Sequence, residues 1–406
     1  MRGQLIALWA SLLAVAAAAQ GKNVLFYGNS YTYYVWGYGV PEVFELIAVE
    51  AGHPAPNWVG SYSGGGTLQQ YASDPFHTGA ITGSLPAGQS WDAVVMQEHA
   101  LGATNGVGFQ VADFFSGSLA IMANVRAHSP NAQAVMFQTW ASAWGQFYYP
   151  SPWPTPMAMH DEIRGNYRLA VSGIEAMYGA GSAVNAAVGD AVALLEWDPQ
   201  WYEADLFHPS PAMQLAAAMC IYTAIYQQPV CAIDPSFQPP GPLATLLATQ
   251  GVGEVEWHLL AGLADRCAAP AIRRFPGSGD HLLLESATDA AVANACYRNA
   301  VRQGTQVYLR LRSMNGVFEQ APAWLLVDVY PTATPLPPSP LWPEVQVGSF
   351  ATLLGAPDLT VPLVLSVPMP VALPGASIRV QGLALQASGE TGNAILTTTD
   401  AHEFVF

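Results

Sequence analysis

Between residue 22 and about residue 230 the sequence alternates between short, almost unbroken apolar runs and longer segments with helical spacing. The runs KNVLFYG (22–28), NWVGSY (57–62), WDAVVMQ (91–97), AVMFQTW (134–140) and AVNAAVG (183–189) have strand length. Several lack the polar alternation of a half-exposed strand, as expected of strands covered on both faces. Between them, PEVFELIAVEAG stops at Gly52, FQVADFFSGSLAIMANVRAHSP ends before Pro130, and MAMHDEIRGNYRLAVSGIEAMYG stops near Gly179. PAMQLAAAMCIYTAIYQ begins with proline in its first turn, where a missing N–H costs nothing. This alternation predicts an α/β domain, a doubly wound parallel sheet covered by helices, with reactive groups beyond the carboxyl ends of its strands.

The texture then changes. PVCAIDPSFQPPGP reads as a loop and GEVEWHLLAGLADRC as a last helix packing back on the α/β domain. After about 268, QVYLRLRS, WLLVDVYP, LTVPLVLSVP and ASIRVQGLALQA read as strands between Pro- and Gly-rich turns such as PTATPLPPSPLWP. The organisation expected is an α/β domain over 20–266 and a small all-β, sandwich-like domain over 267–406.

At 406 residues, 51% hydrophobic and 10% charged, the chain can bury a sizeable core. Thirteen basic against 29 acidic residues leave a net charge of −16. That balance argues against nucleic acid or an anionic membrane as partner, since both require clustered Lys and Arg. Residues 1–19 read as a secretory leader: Arg2, the apolar LIALWASLLAVAAAA, and the small residues Ala17-Ala18-Ala19 before Gln20. A membrane anchor is the competing reading, but the run is short for a span and no basic flank follows it. The expected location is secreted, periplasmic or extracellular. Four cysteines would then sit in an oxidising setting. Cys267 with Cys296, and Cys220 with Cys231, are the expected pairs, although spacing permits three connectivities and also buried thiols. No Cys/His spacing matches a zinc site, so no metal is expected.

The first strand runs into Gly28-Asn29-Ser30. Those residues form turns readily, but a serine at a strand end in this fold is also placed to react. A serine hydroxyl is a weak nucleophile until a base takes its proton, and the base needs a carboxylate to hold its ring. YEADLFHPSPAM supplies both, with Asp205 three residues before His208 and a helix just after. The structural alternative is that Asp205 or Ser210 merely caps that helix. Backbone donors for an oxyanion would come from Gly64-Gly65-Gly66 after the second strand, and an amide donor from Gln97 after the third.

Ser in a Gly-x-Ser turn after strand one, Gly after strand two, an amide after strand three and Asp-x-x-His before a long helix: over residues 22–266 this order resembles the SGNH (GDSL-like) hydrolase superfamily. The resemblance implies a flavodoxin-like domain that hydrolyses esters through an acyl-serine, without metal or other cofactor. It assigns Ser30 as nucleophile, His208 as base and Asp205 as its carboxylate, with the N–H groups of Ser30 and Gly65 as oxyanion donors. Two positions depart from the family pattern. Asn29 replaces the usual Asp, and VMQEH replaces Gly-x-Asn-Asp, so that Gln97 stands where Asn would donate; Asn105 is a second candidate for that donor.

Aromatics crowd three predicted loops at one sheet edge: Tyr31 to Tyr38 after the serine, TWASAWGQFYYPSPWP (139–154), and LEWDPQWYEADLFH before the histidine. Tyr31, Trp140, Trp144 and Trp201 are the expected substrate contacts, with flat faces that suit sugar rings. The sequence therefore predicts a secreted serine esterase, with carbohydrate O-acetylesterase as the finer expectation. Its partner would be a small-molecule or polysaccharide ester, not nucleic acid and, once the leader is removed, not a membrane. The rival expectation is a non-catalytic carbohydrate- or surface-binding protein that keeps the fold.

Overall fold

The computed structural model describes residues 21–33, 38–235, 237, 239–288, 296, 298–330, 342–348, 351–369 and 375–406. The expected leader, Tyr34, Trp36 and the proline-rich stretch at 331–341 lie outside them. Two compact units are present: Met1–Phe137 with Asn166–Asn185, and Gln138–Gly165 with Ala186–Phe406. No described helix is long and apolar enough to cross a membrane.

The α/β pattern runs β1 (Asn23–Gly28), α1 (Val40–Glu50), β2 (Asn57–Tyr62), α2 (Leu68–Ser73), α3 (Pro75–Gly83), β3 (Ala93–Met96), α4 (Val111–His128), β4 (Gln133–Phe137), α5 (Pro156–Tyr178) and β5 (Ala183–Ala186). It continues with α6 (Val188–Ala193), α7 (Pro211–Tyr226), α8 (Pro242–Thr249) and α9 (Glu254–Cys267). The sheet order is β2-β1-β3-β4-β5. β1 pairs in parallel with β2 and β3, with Tyr27 opposite Met96, and β3 pairs in parallel with β4. This is the flavodoxin-like order, whose switch point lies between β1 and β3, so ligands are met beyond the ends of those two strands. Gly28 and Met96 end them.

Every residue of β1 is buried, which accounts for its unbroken apolar run. α1 buries Val40, Val43, Phe44, Ile47 and Ala48, one helical stripe, and Phe44 meets Phe26 edge-on with centroids 5.9 Å apart. The sequence pattern did not disclose α2 and α3. Their signals were the caps: Thr67 and Gln70 form a capping box, and the Asp74 carboxylate accepts from Phe76 N–H ahead of Pro75. α2 lies against α4 at Gly117, where a Cβ would come within 2.4 Å of Gln69 N.

In the second unit α7 is buried almost all round, from Met213 to Ile225, with α9 packed against it. The Asp265 carboxylate on α9 accepts from the Val230 and Cys231 N–H groups at 2.6 and 2.9 Å. That bond pins the turn carrying Cys231, and the disulfide found is Cys231–Cys296, with Cα atoms 5.6 Å apart. The expected pairs Cys267–Cys296 and Cys220–Cys231 are therefore corrected. Cys220 lies inside the buried face of α7, and Cys220 and Cys267 are thiols that burial pushes far above the ordinary range.

The remaining strands are β6 (Leu282–Thr288), β7 (Arg298–Ala300), β8 (Gln306–Ser313), β9 (Ala323–Tyr330), β10 (Ala351–Ala356), β11 (Leu363–Pro368), β12 (Ser377–Ala384), β13 (Thr397–Thr398) and β14 (His402–Val405). They form a sheet β10-β9-β12-β14-β7, with β13 on β12, and a second sheet β11-β8-β6. Pairing is antiparallel except between β14 and β7. Leu284, Leu309 and Leu311 of one sheet share a core with Leu325, Val380 and Phe404 of the other, the sandwich that the alternating runs implied.

Candidate active site

One candidate element, in the first unit, is the turn after β1. The Asn29 carbonyl accepts from Thr32 and Tyr33 N–H at 2.9 and 3.0 Å, winding residues 29–33 into one helical turn that begins at Ser30. Ser30 is half-buried. Asn29 is almost fully buried, and its side chain accepts from Tyr31 N–H at 3.1 Å and donates to Gly66 O at 3.0 Å. The Tyr71 hydroxyl donates to Gly28 O at 2.7 Å, with Ser63 O at 3.1 Å. The serine turn is thereby tied to the glycine loop after β2.

Gln97 corrects an expectation. Its oxygen accepts from Asn29 N–H and the Thr32 hydroxyl, both at 2.9 Å, and its NH2 donates to its neighbour's carbonyl, Glu98 O. The side chain is wholly buried. The Asn29 N–H, a fixed donor, dictates that the oxygen faces the turn. Gln97 is thus a brace for the serine turn and not an oxyanion donor. Gly28 leaves room for this brace: a Cβ there would lie 2.2 Å from Thr32 Oγ1 and 3.0 Å from Gln97 Oε1. Asn105, the other candidate, is exposed and its oxygen accepts from Val111 N–H at 3.2 Å.

Gly65 sits exposed with φ +68°, and nothing lies within 4 Å of where its Cβ would be. Its N–H has no acceptor among the described residues. The neighbouring Gly66 N–H is engaged by Ser63 O at 3.0 Å. Glu98, next after Gln97, is a buried acid that no motif in the sequence marks. Its two oxygens accept from His99 N–H at 2.6 Å and Leu68 N–H at 3.1 Å. Burial pushes its carboxyl up to about 7, against the pull of those two bonds.

A separate candidate element, in the second unit, is the loop between Trp201 and Ser210. His208 Nδ1 lies 2.6 Å from Asp205 Oδ2, while Oδ1 accepts from His208 N–H at 2.9 Å and Phe207 N–H at 3.1 Å. One carboxylate thus orients both the ring and the backbone that bears it, leaving Nε2 as the ring nitrogen turned away from Asp205. Partial burial works against the Asp205 charge, but the bonds from the His208 ring and the two N–H groups prevail and hold it below the ordinary carboxylate range. The cap of α7 is Ser210, whose hydroxyl accepts from Met213 N–H, so Asp205 is not spent on the helix.

The segment after β4 braces this loop. Trp140 Nε1 donates to Phe207 O at 3.1 Å, Gln146 Nε2 to Asp205 O at 2.8 Å, and Tyr202 hydroxyl to Ala141 O at 2.8 Å. Leu206 adopts φ +66°, a left-handed residue that lets the loop fold back on Asp205. Of the four aromatics expected at the substrate, Tyr31 is 3% and Trp140 1% exposed, so both are corrected to core and support. Trp144 is 49% exposed and Trp201 half-buried. Among the described residues no three His, Cys, Asp or Glu side chains are grouped to hold a metal ion.

The chain matches no protein-family profile and no curated protein. Among solved structures it is similar to a DUF4886 family protein from Bacteroides uniformis, at 15% identity over 60% of this chain and 93% of that one, TM-score 0.44. It is also similar to the lipase/acylhydrolase from Enterococcus faecalis, at 13% identity over 51% and 96%, TM-score 0.38. A carbohydrate esterase family 3 from Talaromyces cellulolyticus is similar at 12% identity over 51% and 97%, TM-score 0.37. These likenesses span between a half and three fifths of the chain.

Proposed function

We propose that the protein is a secreted serine esterase that hydrolyses carboxylic esters through an acyl-serine on Ser30. The observation that carries this reading is the Asp205–His208 pair, in which three hydrogen bonds to one carboxylate lock an imidazole with Nδ1 facing its acceptor. A loop that served only to enter α7 would need no such arrangement, since Ser210 already caps the helix.

In the proposed reaction Ser30 Oγ attacks the ester carbonyl carbon and its proton passes to His208 Nε2. The oxyanion that forms is held by the N–H groups of Ser30 and Gly65. As the C–O bond to the alcohol breaks, His208 returns the proton to the leaving oxygen. Water then adds to the acyl-serine by the same route, releasing the carboxylic acid and restoring Ser30. The reading calls for no cofactor. Trp144 and Trp201 offer the aromatic faces that favour an ester carried by a sugar, so acetylated carbohydrate is the finer proposal.

The test is hydrolysis of p-nitrophenyl acetate and of acetylated xylan by residues 20–406, beside Ser30→Ala. Turnover that vanishes in the alanine variant is the expected result. The burial of Gln97 favours a second reading, a non-catalytic binder of the same fold that lacks one oxyanion donor. Sugar binding retained beside equal, negligible turnover with Ser30 present or replaced would support that second reading in place of the first.

A further inference from the structure

The β domain holds a cavity of about 520 Å³ lined by Trp342, Glu344, Thr391, Asn393, Pro276 and Gly277, among others. Its walls are held in place from within. Val345 N–H donates to Trp342 O at 2.9 Å, closing a turn that presents Trp342 and Glu344 together. Gln346 Nε2 donates to Pro276 O at 3.1 Å and Pro343 O at 2.8 Å, joining two walls. The Glu344 carbonyl accepts from Gln381 Nε2 at 2.8 Å and Thr398 Oγ1 at 3.0 Å. On the far side Asn393 Oδ1 accepts from Ile395 and Leu396 N–H, which turns its NH2 toward Glu344. A site assembled before its ligand arrives loses little entropy on binding.

Two features give the cavity a chemistry. Trp342 packs against the small apolar cluster that includes Val345 and Leu383, and it also lines the cavity. Glu344 is 7% exposed; its Oε1 accepts from Asn393 Nδ2 at 2.5 Å, while Oε2 has no partner among the described residues. That oxygen is not sealed from solvent, so a ligand hydroxyl can reach it and take the place of water there. Among the described residues no Lys or Arg lines the cavity, which disfavours an anion. A single indole is also not the aromatic cage that holds a quaternary ammonium group.

We propose that this cavity binds a neutral sugar unit of a polysaccharide, with a C–H face of the ring on Trp342 and a hydroxyl donating to Glu344 Oε2. Thr391 adds a hydroxyl at the rim. The site would hold the chain on its polymer independently of any chemistry at Ser30.

The experiment is calorimetric titration of the full chain in a Ser30→Ala background with ester-free oligosaccharides: cellohexaose, xylohexaose, mannohexaose, galactohexaose and chitohexaose. Choline chloride and oligogalacturonate serve as cationic and anionic probes. The expected result is one-site binding of at least one neutral sugar. Trp342→Ala should weaken it about tenfold or more, and Glu344→Gln should weaken it by a smaller factor at unchanged melting temperature. If Trp342→Ala fails to fold, Trp342→Phe and Glu344→Gln carry the test. Binding of none of the five sugars, binding unchanged in the Trp342 and Glu344 variants, or preference for choline or the uronate would overturn the proposal. Because the probes carry no ester and Ser30 is absent, failure here is separable from failure of the esterase reading.

Discussion

The serine turn and the histidine loop are held by opposite means. The turn is fixed by buried neutral groups, the Gln97 oxygen, the Asn29 side chain and the Tyr71 hydroxyl, each bound to backbone or hydroxyl partners. The loop is fixed by one half-exposed charge, Asp205, whose side chain is 37% accessible, with Trp140 and Gln146 holding its carbonyls. In the proposed reaction the nucleophile would have to stay still, and the groups that hold its turn are buried and neutral. The proposed base would have to gain and lose a proton, and an ionised Asp205 would steady the imidazolium that forms.

The largest effect should come from the charge. Asp205→Asn keeps the loop's shape but removes the partner of His208 Nδ1, and kcat should fall about 10³- to 10⁴-fold with little change in KM. A loss of less than tenfold, in steady-state kinetics on a soluble ester, would mean that Asp205 only shapes the loop.

Next comes the neutral brace. Gln97→Leu leaves Asn29 N–H and the Thr32 hydroxyl buried without an acceptor, which should cost about 2–5 kcal/mol of stability. Denaturant unfolding measures this. A variant that keeps its stability and loses only kcat would instead return Gln97 to the oxyanion site.

The smallest effect concerns Glu98, a buried acid next in the chain to the serine turn's brace. Its folded value of about 7 lies above the ordinary 4.5, so the folded state binds more protons than the unfolded state between those values. Stability from this group is therefore present at acid pH and declines as pH rises through that window, by an amount on the order of 3 kcal/mol. Asp265, also raised to about 7 by burial, acts in the same sense. His281 and His402, lowered to about 4 by burial, act in the opposite sense below neutrality. The contribution of Glu98 is thus read as a difference: Glu98→Gln should remove one falling component from the stability–pH curve between pH 4.5 and 7. Parallel curves for parent and variant would show that Glu98 stays ionised throughout.

The contrast also explains what the sequence disclosed. The sheet was legible because its strands are buried on both faces, and burial leaves an unbroken apolar run, as in Val24–Tyr27. The Asp205–His208 pair was legible because it is local, three residues apart and bonded within its own turn. Gln97 was misread because its role depends on which end of an amide faces Asn29 N–H, 68 positions away. Tyr31 and Trp140 look like ligand-facing aromatics in sequence, and only packing reveals them as support. Cys231 and Cys296 pair across 65 residues, a relation that spacing does not encode.

The proposed reaction requires that Ser30 and His208 act on one substrate. Labelling with a fluorophosphonate, followed by peptide mass spectrometry, tests it most directly, because the reagent reports an activated serine without requiring the right ester. The account predicts one adduct, on Ser30, formed by the parent chain and lost or slowed by orders of magnitude in a folded His208→Ala variant. An adduct elsewhere, none at all, or labelling of Ser30 at the same rate without His208 would contradict it.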